Sequence, residues 1–143
     1  MIVSVSKQNE IEWAELYVAL GSYDNIEKIL EERAAGHHEH EFLYYIGDNA
    51  VAFISLEIRY DYVDGTVSSP VGHGKGIYVK PEYRNSGIAK ELVEFAKKWT
   101  IEQGCCELAS DCELSNTGSI AFHNKVGFKE ATTIVYFTMD LRP

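Results

Sequence analysis

Cysteine is scarce in this chain, and the three residues present, Cys105, Cys106 and Cys112, are an odd set with two neighbours and no Cys-x-x-Cys. That pattern argues against a secreted disulfide framework. With no apolar leader ahead of them, the expected location is the cytoplasm. Cys105 and Cys106 open an apolar run, so they read as packing residues rather than nucleophiles. Basic side chains are also few, 13 against 22 acidic ones for a formal charge of -9, which argues against nucleic-acid and anionic-membrane partners. No stretch approaches the roughly 18 to 20 apolar residues of a membrane-spanning helix. Repeats, linkers and low-complexity tracts are absent, so the 143 residues are expected to form a single domain, 1–143.

The apolar pattern that remains alternates between two periods. Ile2 to Val5 reads as a strand, and Ile11, Leu16, Tyr17 and Leu20 recur at helical spacing before Gly21. A second helix is expected from about Asn25 to Ala35, with Asp24 as its cap. Phe42–Ile46 and Ala50–Val63 flank Gly47-Asp48-Asn49, the composition of a tight hairpin, and a further strand ends at Val79. Ile88, Leu92, Phe95, Ala96 and Trp99 form a helical stripe closed by Gly104. A short strand at Leu108, a helix over Ser119–Lys125 and a last strand over Ile134–Met139 complete the reading. The expected class is mixed α/β, with a central, mostly antiparallel sheet flanked by about four helices.

Chemistry concentrates where the strand ending at Val79 meets the helix after Gly87. The segment Arg84-Asn85-Ser86-Gly87-Ile88-Ala89 opens that helix. The unpaired N–H groups of a first helical turn, at the positive end of the helix dipole, favour a phosphate. Gly87 and Ala89 leave room for a large anion, and Arg84 brings a charged fork. Neither Gly-x-x-x-x-Gly-Lys-Ser/Thr nor a Gly-x-Gly-x-x-Gly after a strand is present, so nucleoside-triphosphate and dinucleotide loops are excluded.

Arg-x-x-Gly-x-Ala before a long helix resembles the pyrophosphate segment of the GCN5-related N-acetyltransferases. Asn116 followed by a short helix and Lys125-Val126-Gly127-Phe128 resembles the second landmark of that superfamily. More narrowly, Ile58–Thr66, Ser69-Pro70-Val71, Gly76–Val79, Glu107–Asp111 and Val135-Tyr136-Phe137 look like the aminoglycoside 6'-N-acetyltransferases. This likeness covers residues 58 to 137 well and the first fifty poorly. It implies acetyl-CoA as cosubstrate, no metal, and a small-molecule amine as partner, and it admits a homodimer. By position it assigns the pantetheine arm to the backbones of Ile77, Tyr78 and Val79, the pyrophosphate to Arg84, Asn85, Ser86, Gly87, Ile88 and Ala89, and a further cofactor contact to Asn116.

Direct transfer needs a bound thioester, a neutral amine and a stabiliser for the departing thiolate. Asp111, beside Ser110 at the end of its strand, is the first candidate to hold or deprotonate the amine, with a solvated loop acid as the plain alternative; Glu113 and Glu57 are weaker candidates. His123 stands where the superfamily places its proton donor, or else is a structural histidine; Tyr78 and Tyr136 are alternative donors. His73 would be a base if it faced the cleft. His37-His38-Glu39-His40 reads as a solvated loop rather than a metal site, and Tyr60, Tyr62 and Tyr83 as packing before sugar stacking.

Lys75 departs from the family, whose enzymes carry an acid there, so a polycationic antibiotic is expected to meet repulsion. The acceptor is expected to be an aminoglycoside-like polyamine, the antibiotic-resistance chemistry of that family. An amino acid or peptide amino terminus, or a non-catalytic acyl-CoA sensor, stand as alternatives.

Overall fold

The computed structural model describes residues 1–143, which divide into two compact units, Met1–Asp111 and Cys112–Pro143. The first unit holds a five-stranded sheet: β1 (Ile2–Ser4), β2 (His40–Ile46), β3 (Asn49–Arg59), β4 (Val71–Val79) and β5 (Leu108–Ser110). Spatial order equals chain order; β4 and β5 run parallel and every other neighbouring pair antiparallel. The expected mixed, mostly antiparallel sheet is therefore present.

Local chemistry explains the elements. The β2–β3 hairpin closes with Ile46 opposite Asn49, and Gly47 at φ 58° takes the first central position of a two-residue turn, where glycine carries no steric cost. Helix α1 (Glu10–Leu20) ends on Gly21 at φ 104°. Helix α2 (Ile26–Ala34) is capped by Asn25, whose Oδ1 accepts from Lys28 N at 3.0 Å. The cap is thus Asn25 and not Asp24, because its extended backbone turns the amide oxygen over the first turn. Helix α3 (Ile88–Glu102) follows a single 3-10 turn at Pro81–Tyr83.

Strand alternation sorts two cores onto the two sheet faces. Leu43 and Phe53 meet Trp13, Ala14, Leu16, Tyr17 and Ile29 of α1 and α2. Phe42, Ile54 and Leu56 meet Leu92, Ala96 and Trp99 of α3. Gly72 lets α3 sit close to β4, since a Cβ there would lie 2.7 Å from the Thr100 side chain.

Two strand expectations fail. β3 stops at Arg59, paired with Val71, instead of reaching Val63. Beyond it Arg59 turns onto Asp61 through bonds of 3.2 and 2.5 Å, and the alternation from Tyr60 on meets no partner strand. The second unit holds α4 (Thr117–Lys125), two residues longer at its start than expected, and residues 129–143 form neither helix nor strand. Ile134–Met139 has the side-chain alternation of a strand but pairs with none, and alternation without a ladder leaves backbone groups to water.

Candidate active site

The parallel β4–β5 ladder covers only Gly72–Gly74 against Leu108–Ser110. β4 continues to Val79, paired with β3 alone, so from Gly74 onward an edge of about 17 Å carries no ladder partner in this sheet. Arg84 Nε donates to the Val79 carbonyl at 2.8 Å, and Lys80 N donates to Val51 O at 2.9 Å. Antiparallel alternation then turns the backbones of Ile77 and Val79 to the open edge and that of Tyr78 toward β3. Of the three strand residues expected to meet a pantetheine arm, Ile77 offers both backbone groups, Val79 has its carbonyl committed to Arg84, and Tyr78 offers chiefly its ring. The Arg84 guanidinium lies over that ring, 5.3 Å from its centroid.

At the far end of this edge the chain makes an anion cradle. Asn85 at φ 61° and Gly87 at φ 88° are both left-handed, and Ser86 Oγ donates to the Tyr83 carbonyl. Gly87 is the N-cap of α3 and supplies no side-chain cap, so the first-turn N–H groups of Ile88 and Ala89 are left for an outside partner. Space beside Gly87 is open, with nothing within 4 Å of where a Cβ would stand. Ile88 is buried in the core and contributes backbone only.

At the near end, β3, β4 and the end of β5 bring three titratable groups together. Glu57 and His73 are a cross-strand pair, with Glu57 Oε2 3.6 Å from His73 Nδ1. Asp111, one residue past β5, places Oδ2 3.4 Å from His73 Nε2. The Asp111 side chain is 86% exposed while that of His73 is 11% exposed, and His73 Nδ1 is buried without a hydrogen bond. Asp111 is thus positioned by the sheet and backed by an imidazole. Glu57 is not merely a polar outward residue of an alternating strand.

Behind this corner, on the α1–α2 face, lies a polar cluster. Glu41 is 2% exposed; its carboxylate accepts from Trp13 Nε1 at 3.0 Å and Ser55 Oγ at 2.7 Å, and Tyr17 OH donates to Ser55 at 3.4 Å. Burial pushes the Glu41 carboxyl up to about 7, against the opposing pull of Ser55, Lys75, Trp13 and Arg33. His38 is buried, not solvated: at φ 57° it turns inward against Trp13, Tyr17 and Tyr23, with Nε2 2.9 Å from Glu32. Burial holds its imidazole below the ordinary value, with the Lys75 charge acting the same way. Lys75 Nζ lies 3.4 Å from His38 Nδ1, directed to this interior cluster. His38, Glu39, Glu57, Tyr60 and Lys75 border a cleft of about 300 Å³.

In the second unit Asn116 caps α4, its Oδ1 accepting from Ser119 N at 3.1 Å. His123 Nδ1 sits 2.7 Å from the Ser119 carbonyl, an acceptor, which favours the neutral tautomer with its proton on Nδ1. Phe128 packs on the same ring with centroids 5.2 Å apart. Tyr136 is 84% exposed. Glu113 lies in this unit, and its carbonyl accepts from Asn116 N at 2.9 Å.

The model of the Acetyltransferase (GNAT) family matches residues 6–128. An aminoglycoside N(6')-acetyltransferase type 1 of Serratia marcescens is 37% identical over 145 residues, covering 99% of each chain, so the similarity extends through the first fifty residues as well. A crystal structure of an aminoglycoside 6'-N-acetyltransferase from Acinetobacter haemolyticus superposes with TM-score 0.89 at 36% identity over 99% of both chains. The aminoglycoside N-acetyltransferase AAC(6')-Iy, solved with a bisubstrate analogue, CoA-S-monomethyl-acetylneamine, gives TM-score 0.87 at 32% identity over 98% of this chain and 97% of that one. The chain belongs to the Acetyltransferase (GNAT) family.

Proposed function

We propose that this acyltransferase moves the acetyl group of acetyl-CoA to a primary amine of an aminoglycoside-like polyamine by direct attack. The observation that carries the reading is the open β4 edge, which joins an uncapped glycine helix start at one end to the Asp111–His73–Glu57 corner at the other. A pyrophosphate at Gly87 sends the pantetheine arm along Ile77 toward that corner, where backbone pairing fixes the thioester.

The two carboxylates attract an ammonium, and the neighbouring cleft with Tyr60 offers room for a sugar ring. Lys75 Nζ is directed toward His38, and its charge also acts on the Glu41 carboxyl, which turns part of the expected repulsion toward the interior. The named activities of the Serratia relative and of the enzyme solved with acetylneamine support the same acceptor class. In the reaction the ammonium gives a proton to the Asp111 side, and the freed nitrogen bonds the thioester carbonyl carbon. The C–S bond then breaks, and the second proton that the nitrogen sheds reaches the thiolate sulfur by way of His123 Nε2, with Asn116 steadying the cofactor arm.

The family match over residues 6–128 runs across the boundary at Asp111, which supports a single N-acetyltransferase domain over 1–143. The three free thiols suit the cytoplasm. The test is thiol release from acetyl-CoA over a panel of kanamycin-type polyamines, amino acids and peptides. Turnover with the polyamines is expected, with kcat/KM falling about 100-fold in Asp111→Asn. Turnover confined to amino acids or peptides overturns the acceptor class, CoA binding without any turnover makes the protein a sensor, and a kinetically silent Asp111→Asn removes Asp111 from its role.

We also infer a homodimer, supported by the apolar side chains of Val135, Phe137, Met139 and Leu141, each at least 70% exposed. Sedimentation is expected to give a dimer that Phe137→Asp converts to a folded monomer; a monomeric parent protein contradicts this.

A further inference from the structure

We propose that His73 is a positioning residue that draws the acceptor's proton through Asp111 and keeps it as an imidazolium between Asp111 and Glu57 while the amine attacks. The proposal rests on the acetyl-transfer reading and assigns that site a proton path.

The ring is clasped on both edges by groups that only accept hydrogen bonds. Glu57 approaches Nδ1 from β3 at 3.6 Å, and Asp111 approaches Nε2 from the end of β5 at 3.4 Å. A neutral imidazole has one N–H and can satisfy one of these carboxylates; the charged ring satisfies both. Nδ1 is buried with no hydrogen-bond partner, and the Glu57 carboxylate is the acceptor that faces it. Asp61 adds a further negative charge that interacts with His73 from the segment after β3, and Arg59, held on Asp61, is the cation at this corner. Lys75, two residues along β4, is directed to His38 instead.

Position fits the role. His73 is paired with Ala109, and one step further Gly74 pairs with Ser110, where the β4–β5 ladder ends and the open edge begins. Asp111 is the exposed member that meets the incoming ammonium; His73 is the sheltered one behind it. An imidazole is a stronger base than a carboxylate, so a proton accepted at Asp111 passes on to Nε2, and its return is prevented once the freed nitrogen bonds the carbonyl carbon. The amine lone pair is then free to form the C–N bond as the C–S bond breaks onto sulfur, and the second proton of the nitrogen goes to the departing thiolate. His73 returns its proton to water through Asp111 before the next cycle.

The test combines pH profiles of kcat/KM for the polyamine with a titration of the His73 ring followed by NMR, its resonance identified by its loss in His73→Gln. The parent enzyme should show an ascending one-proton limb that coincides with the ring titration. Glu57→Gln removes one of the two anions that face the ring, so both limb and ring titration should move to lower pH together. His73→Gln should lower kcat about 100-fold with little change in KM and lose that limb. Thermal melts and CoA binding check that each variant is folded, and the ring titration of Glu57→Gln needs no turnover. A limb unmoved in Glu57→Gln, or an unchanged profile in His73→Gln, overturns the proton path while leaving acetyl transfer intact. Absence of CoA binding or turnover in the parent protein overturns the parent reading instead.

Discussion

Gly87→Glu is expected to abolish binding of CoA, with loss of more than 100-fold in affinity by calorimetry, while the protein stays folded. Gly87 adopts φ 88° as the N-cap of α3, where any residue with a Cβ is strained by about 1 to 2 kcal/mol. That strain is the main structural cost, because the space beside Gly87 holds no atom within 4 Å of a Cβ. The same empty space is where a diphosphate would meet the first-turn N–H groups, so the glutamate carboxylate both fills it and repels the ligand. Gly87→Asn separates the two effects: asparagine tolerates the left-handed conformation and carries no charge, so it should keep the melting temperature within a few degrees and weaken CoA far less. If both variants bind CoA as the parent does, the diphosphate does not sit on this turn.

That cradle was legible in the sequence because its determinants are contiguous. A strand, a left-handed glycine and an apolar helical stripe, all within residues 71–102, impose the turn whatever the rest of the chain does. The Asp111–His73 contact was not legible, since it depends on a parallel pairing between strands separated by all of α3. Asp111 could be nominated from its place beside Ser110, but nothing local announces that His73 lies behind it. Glu41 carried a missed signal: on β2 it is in phase with Leu43, so an alternating strand sends both to the α1–α2 core. His38 escaped because a single positive φ reverses the direction of its side chain. The last strand was misread for the opposite reason, since Ile134–Met139 supplies a pattern without the ladder partner that gives a pattern meaning.

Glu41→Gln is expected to flatten the dependence of stability on pH and to make the protein more stable than the parent above neutrality. Burial raises the Glu41 carboxyl from an ordinary 4.5 to about 7, so the folded state holds a proton that the unfolded chain releases. A raised folded value contributes stability that is complete below 4.5 and disappears as pH rises through 7; the difference corresponds to about 3 kcal/mol. Glutamine has no proton to lose, and its amide can still accept from Trp13 and donate to the Ser55 hydroxyl. Near pH 5 the two proteins should therefore melt close together, and near pH 9 the variant should melt higher, by up to roughly 6 to 12 °C. The gain is partly offset because Lys75 loses the carboxylate its ammonium favours. Titrations common to both proteins cancel in the difference between their melting curves, so parallel curves from pH 5 to 9 would show that Glu41 does not change charge there. Glu41→Ala removes the acceptor as well as the charge, leaves the Trp13 and Ser55 donors buried and unpaired, and should destabilise at every pH by about 2 to 4 kcal/mol. The contrast between the two variants assigns the pH dependence to the proton and the packing of α1 on β2 and β3 to the hydrogen bonds.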